Sequence, residues 1–365
     1  MRELGVSIYP SSSDIEQDKK YLQKAADLGF TRIFTSLLEL GDNHDEQLEK
    51  YREIIAYGNE LGMKTTLDIN PRLFDKLGVS YDDLKFFKDM GAAGIRLDLG
   101  FDGAKEALMS QNKYGLHIEV NMSSGSNYID LLMSHLPDTD HLIASHNFYP
   151  MRYSGLSREH FMKTTAQFNK YSLNTAAFVT SQVGEEGPWP LQTGLCTLEE
   201  HRQLPLAVQI THLRELGGIH DILIGNAYAS DEELAAAAQA FFSPHLQIPV
   251  QMADQASTLE RRVILEELHK YRSDHSAYMI RSTMTRVKYR EEDFPKHVTP
   301  DEIQPGDVLI GNNDFLQYKG ETQLALLPMQ QTGEINVVGQ VPHDALMLLQ
   351  DMPPFATFEM YEVTD

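Results

Sequence analysis

The chain has 365 residues, 23% charged and 42% hydrophobic, which is enough apolar material for a full core and excludes a disordered chain. Its formal net charge of -22, from 53 acidic and 31 basic residues, repels nucleic acid and anionic membrane surfaces, so neither is an expected partner. The single Cys196 cannot form an internal disulfide, and no segment has the unbroken apolar length of a membrane span. Met1 to Gly5 lead straight into a strand with no signal peptide before it, so a cytoplasmic location is expected.

Leu4 to Tyr9 reads as a strand and Asp14 to Leu28 as an amphipathic helix stopped by Gly29. Arg32 to Leu38 is the second strand, and Asp45 to Leu61 a helix that ends at Gly62. The third strand, Lys64 to Asn70, leaves through Pro71, which favours an extended exit; Tyr81 to Met90 is then helical. Gly94 to Leu99 is the fourth strand, followed by a short helix from Gly103 to Gln111. His117 to Ser123 is the fifth, followed by a helix from Tyr128 to His135. The sixth strand is His141 to Tyr149, with a helix from Arg158 to Tyr171; the seventh is Asn174 to Ser181. A Gly/Pro loop from Val183 to Gly194 precedes a helix from Leu198 to Leu216. His220 to Asn226 is the eighth strand, and Ser230 caps a helix from Asp231 to Phe242.

Eight strand–helix alternations in about 240 residues match a (β/α)8 TIM barrel. An open doubly wound sheet competes, but its phosphate fingerprint belongs after the first strand, and Ser7 to Ser13 contains no glycine. From Ser243 the pattern turns to short strand-like segments, Ala277 to Val287, Asp307 to Ile310, Thr322 to Leu326 and Glu334 to Val341. The expected domains are a catalytic barrel over 1–243 and a mostly β domain over 246–365.

In the third, fourth and fifth strands the inward residues turn polar toward the C-terminal end: Asp68 with Asn70, Arg96 with Asp98, Glu119 with Asn121. That end carries the chemistry of such barrels. Any one acid there could merely cap a loop or pair with Arg96, but three on consecutive strands point to a shared polar ligand. Paired carboxylates suit glycoside cleavage, one giving a proton and one ionised. Arg96 would keep Asp98 ionised, and Glu119, expected farther from that charge, is the candidate donor, with Asp68 beside them. Metal binding by these acids ranks lower, since only His117 shares the Glu119 face; no metal or cofactor is expected. A metal-assisted sugar-phosphate isomerase or aldolase on the same barrel is the alternative activity.

The sixth strand closes on His146, Asn147, Tyr149 and Arg152, an aromatic, amide and cationic exit suited to a sugar and an anionic substituent. The loops Gly184 to Gly187 and Gly225 to Ser230, with Asn226, lie in the usual phosphate quadrant, although Glu185 and Glu186 oppose an anion at the first. Arg281 and Arg286, among three hydroxyls in seven residues, are a second anion candidate or an exposed strand face. Trp189 is either a stacking lid for a sugar or an anchor for its loop.

Leu4-Gly-Val-Ser-Ile-Tyr-Pro10, Arg96-Leu-Asp98, Glu119-Val-Asn121, His146-Asn-Phe-Tyr-Pro150 and Pro305-Gly-Asp-Val-Leu309 together resemble the bacterial 6-phospho-N-acetylmuramidases over essentially the whole chain. The resemblance implies a barrel with a C-terminal cyclophilin-like β domain. It also implies cytoplasmic hydrolysis of the β-1,4 link between 6-phospho-N-acetylmuramic acid and N-acetylglucosamine in cell-wall recycling. The expected partner is that small phosphosugar, and a homo-oligomer stays open. Arg96, Arg152, Arg281 and Arg286 are then the cations for its phosphate and lactyl groups, and Asp68, Asn70, Asn121 and Asn147 its hydroxyl binders.

Overall fold

The computed structural model describes residues 2–38, 40, 44–189, 193–298 and 300–364. Two compact units emerge, one of residues 1–210 with 217–239 and one of 211–216 with 240–365. In the first, β1 (Leu4–Ser7), β2 (Arg32–Ser36), β3 (Lys64–Ile69), β4 (Gly94–Leu97), β5 (His117–Asn121), β6 (Leu142–Ser145), β7 (Asn174–Val179) and β8 (Asp221–Ile224) close into a barrel in chain order. Every neighbouring pair is parallel, and β1 pairs with both β2 and β8. Parallel neighbours need a crossover, and the intervening helices supply it.

Residues of opposite parity serve the two faces of the barrel wall. Leu67, Ile69, Ile95, Leu97, Ile118 and Val120 are fully buried toward the helices. Between them, the register sets Ser36, Asp68, Arg96 and Glu119 side by side on β2 to β5. The opposite wall is apolar and aromatic, with Tyr9, Phe34, Phe178, Leu195 and Leu223 packed together and Phe148 against them.

Several local expectations change. Pro71 does not lead into extended chain but opens a helix, Pro71–Leu77, whose first turn Asn70 caps by accepting from Leu73 N at 3.1 Å. Proline suits that position because its missing N–H would have no partner there. The helix expected from Tyr81 is confined to Lys85–Asp89. The helix expected over Leu198 to Leu216 is a 3-10 turn, Glu199–His201, then a helix, Leu206–Leu216, with Pro205 at the break. β6 stops at Ser145, and Asn147 to Pro150 lie beyond the strand, with Tyr149 bridged to Cys196. Part of the expected Val183–Gly194 loop, residues 190–192, lies outside the described residues.

The C-terminal unit contains β9 (Leu246–Met252), β10 (His269–Lys270), β11 (Met279–Ser282), β12 (Glu302–Ile303), β13 (Asp307–Gly311), β14 (Thr322–Ala325), β15 (Met329–Gln330), β16 (Ile335–Gln340) and β17 (Thr357–Glu362). Seven form a mixed sheet in the order β10-β17-β9-β16-β13-β14-β11, and β12 pairs with β15. β17 runs parallel to β9, whereas the other pairs are antiparallel. The expected strand Ala277 to Val287 is β11 followed by a helix, Met284–Lys288.

Candidate active site

Arg96, third residue of β4 and 2% exposed, is the centre of the barrel's charged face. Its Nη1 donates to Asp68 Oδ1 at 2.6 Å, its Nε to Ser145 Oγ at 2.9 Å, and its Nη2 to Asn147 Oδ1. Nη1 is also 3.7 Å from Asp98 Oδ1, and Nε 3.9 Å from Glu119 Oε1. Nearer the start of the strands, buried Arg32 donates to Glu119 Oε2 at 2.6 Å, to Asp221 Oδ2 at 2.8 Å and to Thr66 Oγ1 at 3.3 Å. Asp98 follows the end of β4 and has the only appreciably exposed side chain of these four acids, at 35%.

Two guanidiniums therefore serve four carboxyl groups, Asp68, Asp98, Glu119 and Asp221. A buried cluster with that deficit of positive charge gains by holding a proton. Burial, with the Asp98 charge nearby, pushes Asp68 up to about 7 against the pull of Arg96. Burial would also raise Glu119, but Arg32 and Arg96 outweigh it and hold that carboxyl below its ordinary range. The expectation that Glu119 lies far from positive charge is corrected here: Arg32 grips it at 2.6 Å and Arg96 lies 3.9 Å away.

The remaining expected site residues fall into groups. Asn147 holds Arg96, and its backbone N–H donates to Ser123 Oγ at 2.8 Å. Asn121 donates to Asp98 O at 3.1 Å and accepts from Ser123 N at 2.9 Å, so it ties the ends of β4 and β5 together. Asn70 spends its carbonyl on the helix cap. Tyr149 is half-buried and joined through its backbone to Cys196; its phenol, pushed up by burial, feels Arg96 and Asp98.

His146 is packed between the end of the sixth strand and the helix that follows it. It is fully buried, 2.9 Å from Thr165 Oγ1 and 3.3 Å from Ser123 Oγ, and burial depresses it to about 3, so it is a neutral support. Asn226, 1% exposed, donates to Ser181 O and Gly184 O and accepts from Ser181 N and Thr180 Oγ1, and it lines the same polar cavity as Arg152. The helix after β8 carries a carboxylate of its own in the first turn. Glu233 there accepts from Gln182 N at 2.7 Å, from Ser230 N at 3.3 Å and from Ser181 Oγ. Arg152 is exposed and lines a polar cavity of about 420 Å³ with Gln182, Thr193 and Gln203; Glu185 lines it too. Trp189 meets Phe148 edge to face at 6.1 Å with 36% of its surface exposed. Arg281 and Arg286 belong to the C-terminal unit, where both reach Glu321.

Three features carried no expectation. Arg32 stands at the start of a buried strand, where an inward arginine was the available signal. Glu199 accepts from Tyr153 N and Gly155 N, each at 2.8 Å, and binds Arg202 through both oxygens at 2.7 and 2.6 Å. Arg202 then donates to Tyr149 O, Thr193 O and Gly194 O, so this pair clamps the loops after β6 and β7. Between them Tyr153 is 89% exposed at φ 67°, a backbone region that L side chains rarely adopt. A strained, solvent-facing aromatic beside Arg152 suits a sugar face better than a core.

A B. cereus protein of known crystal structure is 42% identical, with 99% of each chain covered and a TM-score of 0.90. A conserved Enterococcus faecalis protein shares the fold at 22% identity, covering 99% of this chain and 96% of that one, with a TM-score of 0.77. No relative among curated proteins matches. Residues 4–239 match the N-terminal part and residues 246–361 the C-terminal part of 6-phospho-N-acetylmuramidase. The isomerase or aldolase alternative is thereby set aside, and the chain, a glycosidase, belongs to the 6-phospho-N-acetylmuramidase family.

Proposed function

We propose that this glycosidase hydrolyses the β-1,4 bond between 6-phospho-N-acetylmuramic acid and N-acetylglucosamine, in the cytoplasm, during recycling of cell-wall peptidoglycan. The observation that carries the reading is Asp68 and Asp98 sharing Arg96 Nη1 at 2.6 and 3.7 Å. Asp68 gives its proton to the departing glycosidic oxygen, and Asp98, nearer solvent, faces the anomeric carbon and stabilises its positive charge. Water then adds to that carbon and returns a proton to Asp68. The shared nitrogen favours a pair closer than the roughly 6.5–9.5 Å that inverting enzymes leave for a water, so retention of configuration is expected.

Arg152, at the rim of the polar cavity, takes the anionic substituent, and Gln182, Thr193 and Gln203 are neutral donors beside it. Tyr153 supplies a stacking face, while the amide nitrogens of Asn70 and Asn147 orient hydroxyls. The C-terminal sheet is read as a cyclophilin-like domain over 246–365, with the barrel domain over 1–243. The direct test is incubation with the phosphorylated disaccharide and with its dephosphorylated form. Release of N-acetylglucosamine from the first and far slower release from the second is expected. Cleavage of neither, or of both equally, would sink the assignment.

A further inference from the structure

Arg281 on β11 and Arg286 on the following helix converge on one carboxylate, Glu321. Arg281 Nε donates to Glu321 Oε1 at 2.8 Å, and Arg286 Nε lies 3.4 Å from Oε2. Glu321 is fully buried, and Oε1 also accepts from Gln323 Nε2 at 3.2 Å. Both guanidiniums lie against the ring of Tyr318, their central carbons 5.6 and 4.9 Å from its centre. Gly320 makes this meeting possible: at φ 76° it turns the chain between Tyr318 and Glu321, a conformation open to glycine.

The charge count does not balance. Arg272 beside them is satisfied by both oxygens of Asp274, each at 2.7 Å, and by Thr283 Oγ1. Arg281 and Arg286 share a single carboxylate, in a chain where acids outnumber bases by 53 to 31. Each reaches Glu321 through Nε, its inner nitrogen, and the ring restrains the plane of each guanidinium. Among the described residues the outer nitrogens make one hydrogen bond, Arg286 Nη1 to Gln317 O at 3.3 Å, which leaves the others for a further acceptor. Side-chain exposures of 23 and 24% put them within reach of solvent while their stems stay packed. Two oriented guanidiniums carrying one uncompensated positive charge match a phosphate monoester, whose oxygens accept from planar forks.

We propose that the C-terminal unit has its own binding site for a phosphate monoester, made by Arg281 and Arg286 on a platform of Tyr318 and Glu321. The site is self-contained and does not depend on the barrel chemistry proposed above.

Calorimetric titration of inorganic phosphate into the full chain, at constant ionic strength, tests it. An Arg152→Gln background removes the barrel's expected contribution. One phosphate is expected to bind that chain, and adding Arg281→Gln should weaken it about tenfold or more. Adding Glu321→Gln should tighten binding, because a competing negative charge is lost. Arg281→Lys, which keeps the charge and the contact to Glu321 but loses the fork, guards against misfolding and should weaken binding by less. No saturable binding in the Arg152→Gln chain, or binding indifferent to both Arg281 variants, overturns the site. Failure of disaccharide hydrolysis with phosphate still bound would instead count against the barrel reading alone.

Discussion

Arg32 and Arg96 both address Glu119, at 2.6 and 3.9 Å, whereas Asp68 has Arg96 alone at 2.6 Å. That asymmetry separates two buried acids with nearly equal exposure: burial raises Asp68, while the two arginines hold Glu119 below its ordinary range.

Asp68→Asn should lower kcat by about 10²–10⁴-fold with the fold intact. In the native enzyme the acid must be protonated, so kcat/KM falls as pH rises through about 7, the value to which burial pushes Asp68. That limb should vanish from the residual activity of the variant. A limb unchanged in Asp68→Asn would assign the proton elsewhere.

Glu119→Gln should behave differently. It leaves Arg32 and Arg96 short of a partner in a dry interior, so lost stability is expected; in the enzyme that still folds the basic limb is kept but moves to lower pH, because the Glu119 charge helps to raise Asp68. Arg32→Met, which strands both Glu119 and Asp221, should cost about 3–5 kcal/mol, read from denaturant unfolding. Loss of the basic limb in Glu119→Gln would restore Glu119 as the donor.

The burial that depresses His146 to about 3 sets a pH dependence of stability. Its pKa in the fold is below the unfolded value of about 6.5, so the unfolded chain binds the extra proton. The contribution is present above about 6.5 and is lost as pH falls toward 3, at about 1.4 kcal/mol per pH unit. His146→Asn should flatten that slope between pH 6 and 4. His269, depressed to about 4 by burial, adds a second slope of the same sign, and His146→Asn leaves it in place.

Tyr153→Gly separates strain from recognition. Glycine accepts φ 67° without a Cβ penalty, so a thermal gain worth about 1 kcal/mol is expected. Loss of the ring should raise KM for the phosphorylated disaccharide about tenfold, with kcat nearly kept. Glu199→Ala, which releases the loop carrying Tyr153, should raise KM without the gain in stability. Unaltered KM in both would leave the ring without a role in binding.

Arg152→Gln should raise KM for the phosphorylated disaccharide and leave the unphosphorylated one nearly unaffected. Steady-state kinetics on the two substrates reads the discrimination directly.

The alternation of strand and helix, and the polar turn at the ends of the third to fifth strands, are written in the sequence because both follow from local periodicity. Asp68, Arg96 and Glu119 could be placed on one end of one barrel that way. Helix limits were less legible where proline acts through position, since Pro71 opens a helix while Pro205 stands at a break. The sequence alone determined which residue types meet at the mouth. Only the tertiary structure decided their roles, because these depend on charges brought from afar: Arg32 is 87 residues from Glu119 and 189 from Asp221. The same holds for His146, Asn226 and Glu233, whose partners lie on other segments of the chain. A side chain's chemistry is local, but its protonation and its freedom to meet a ligand are set by what closure of the barrel packs against it.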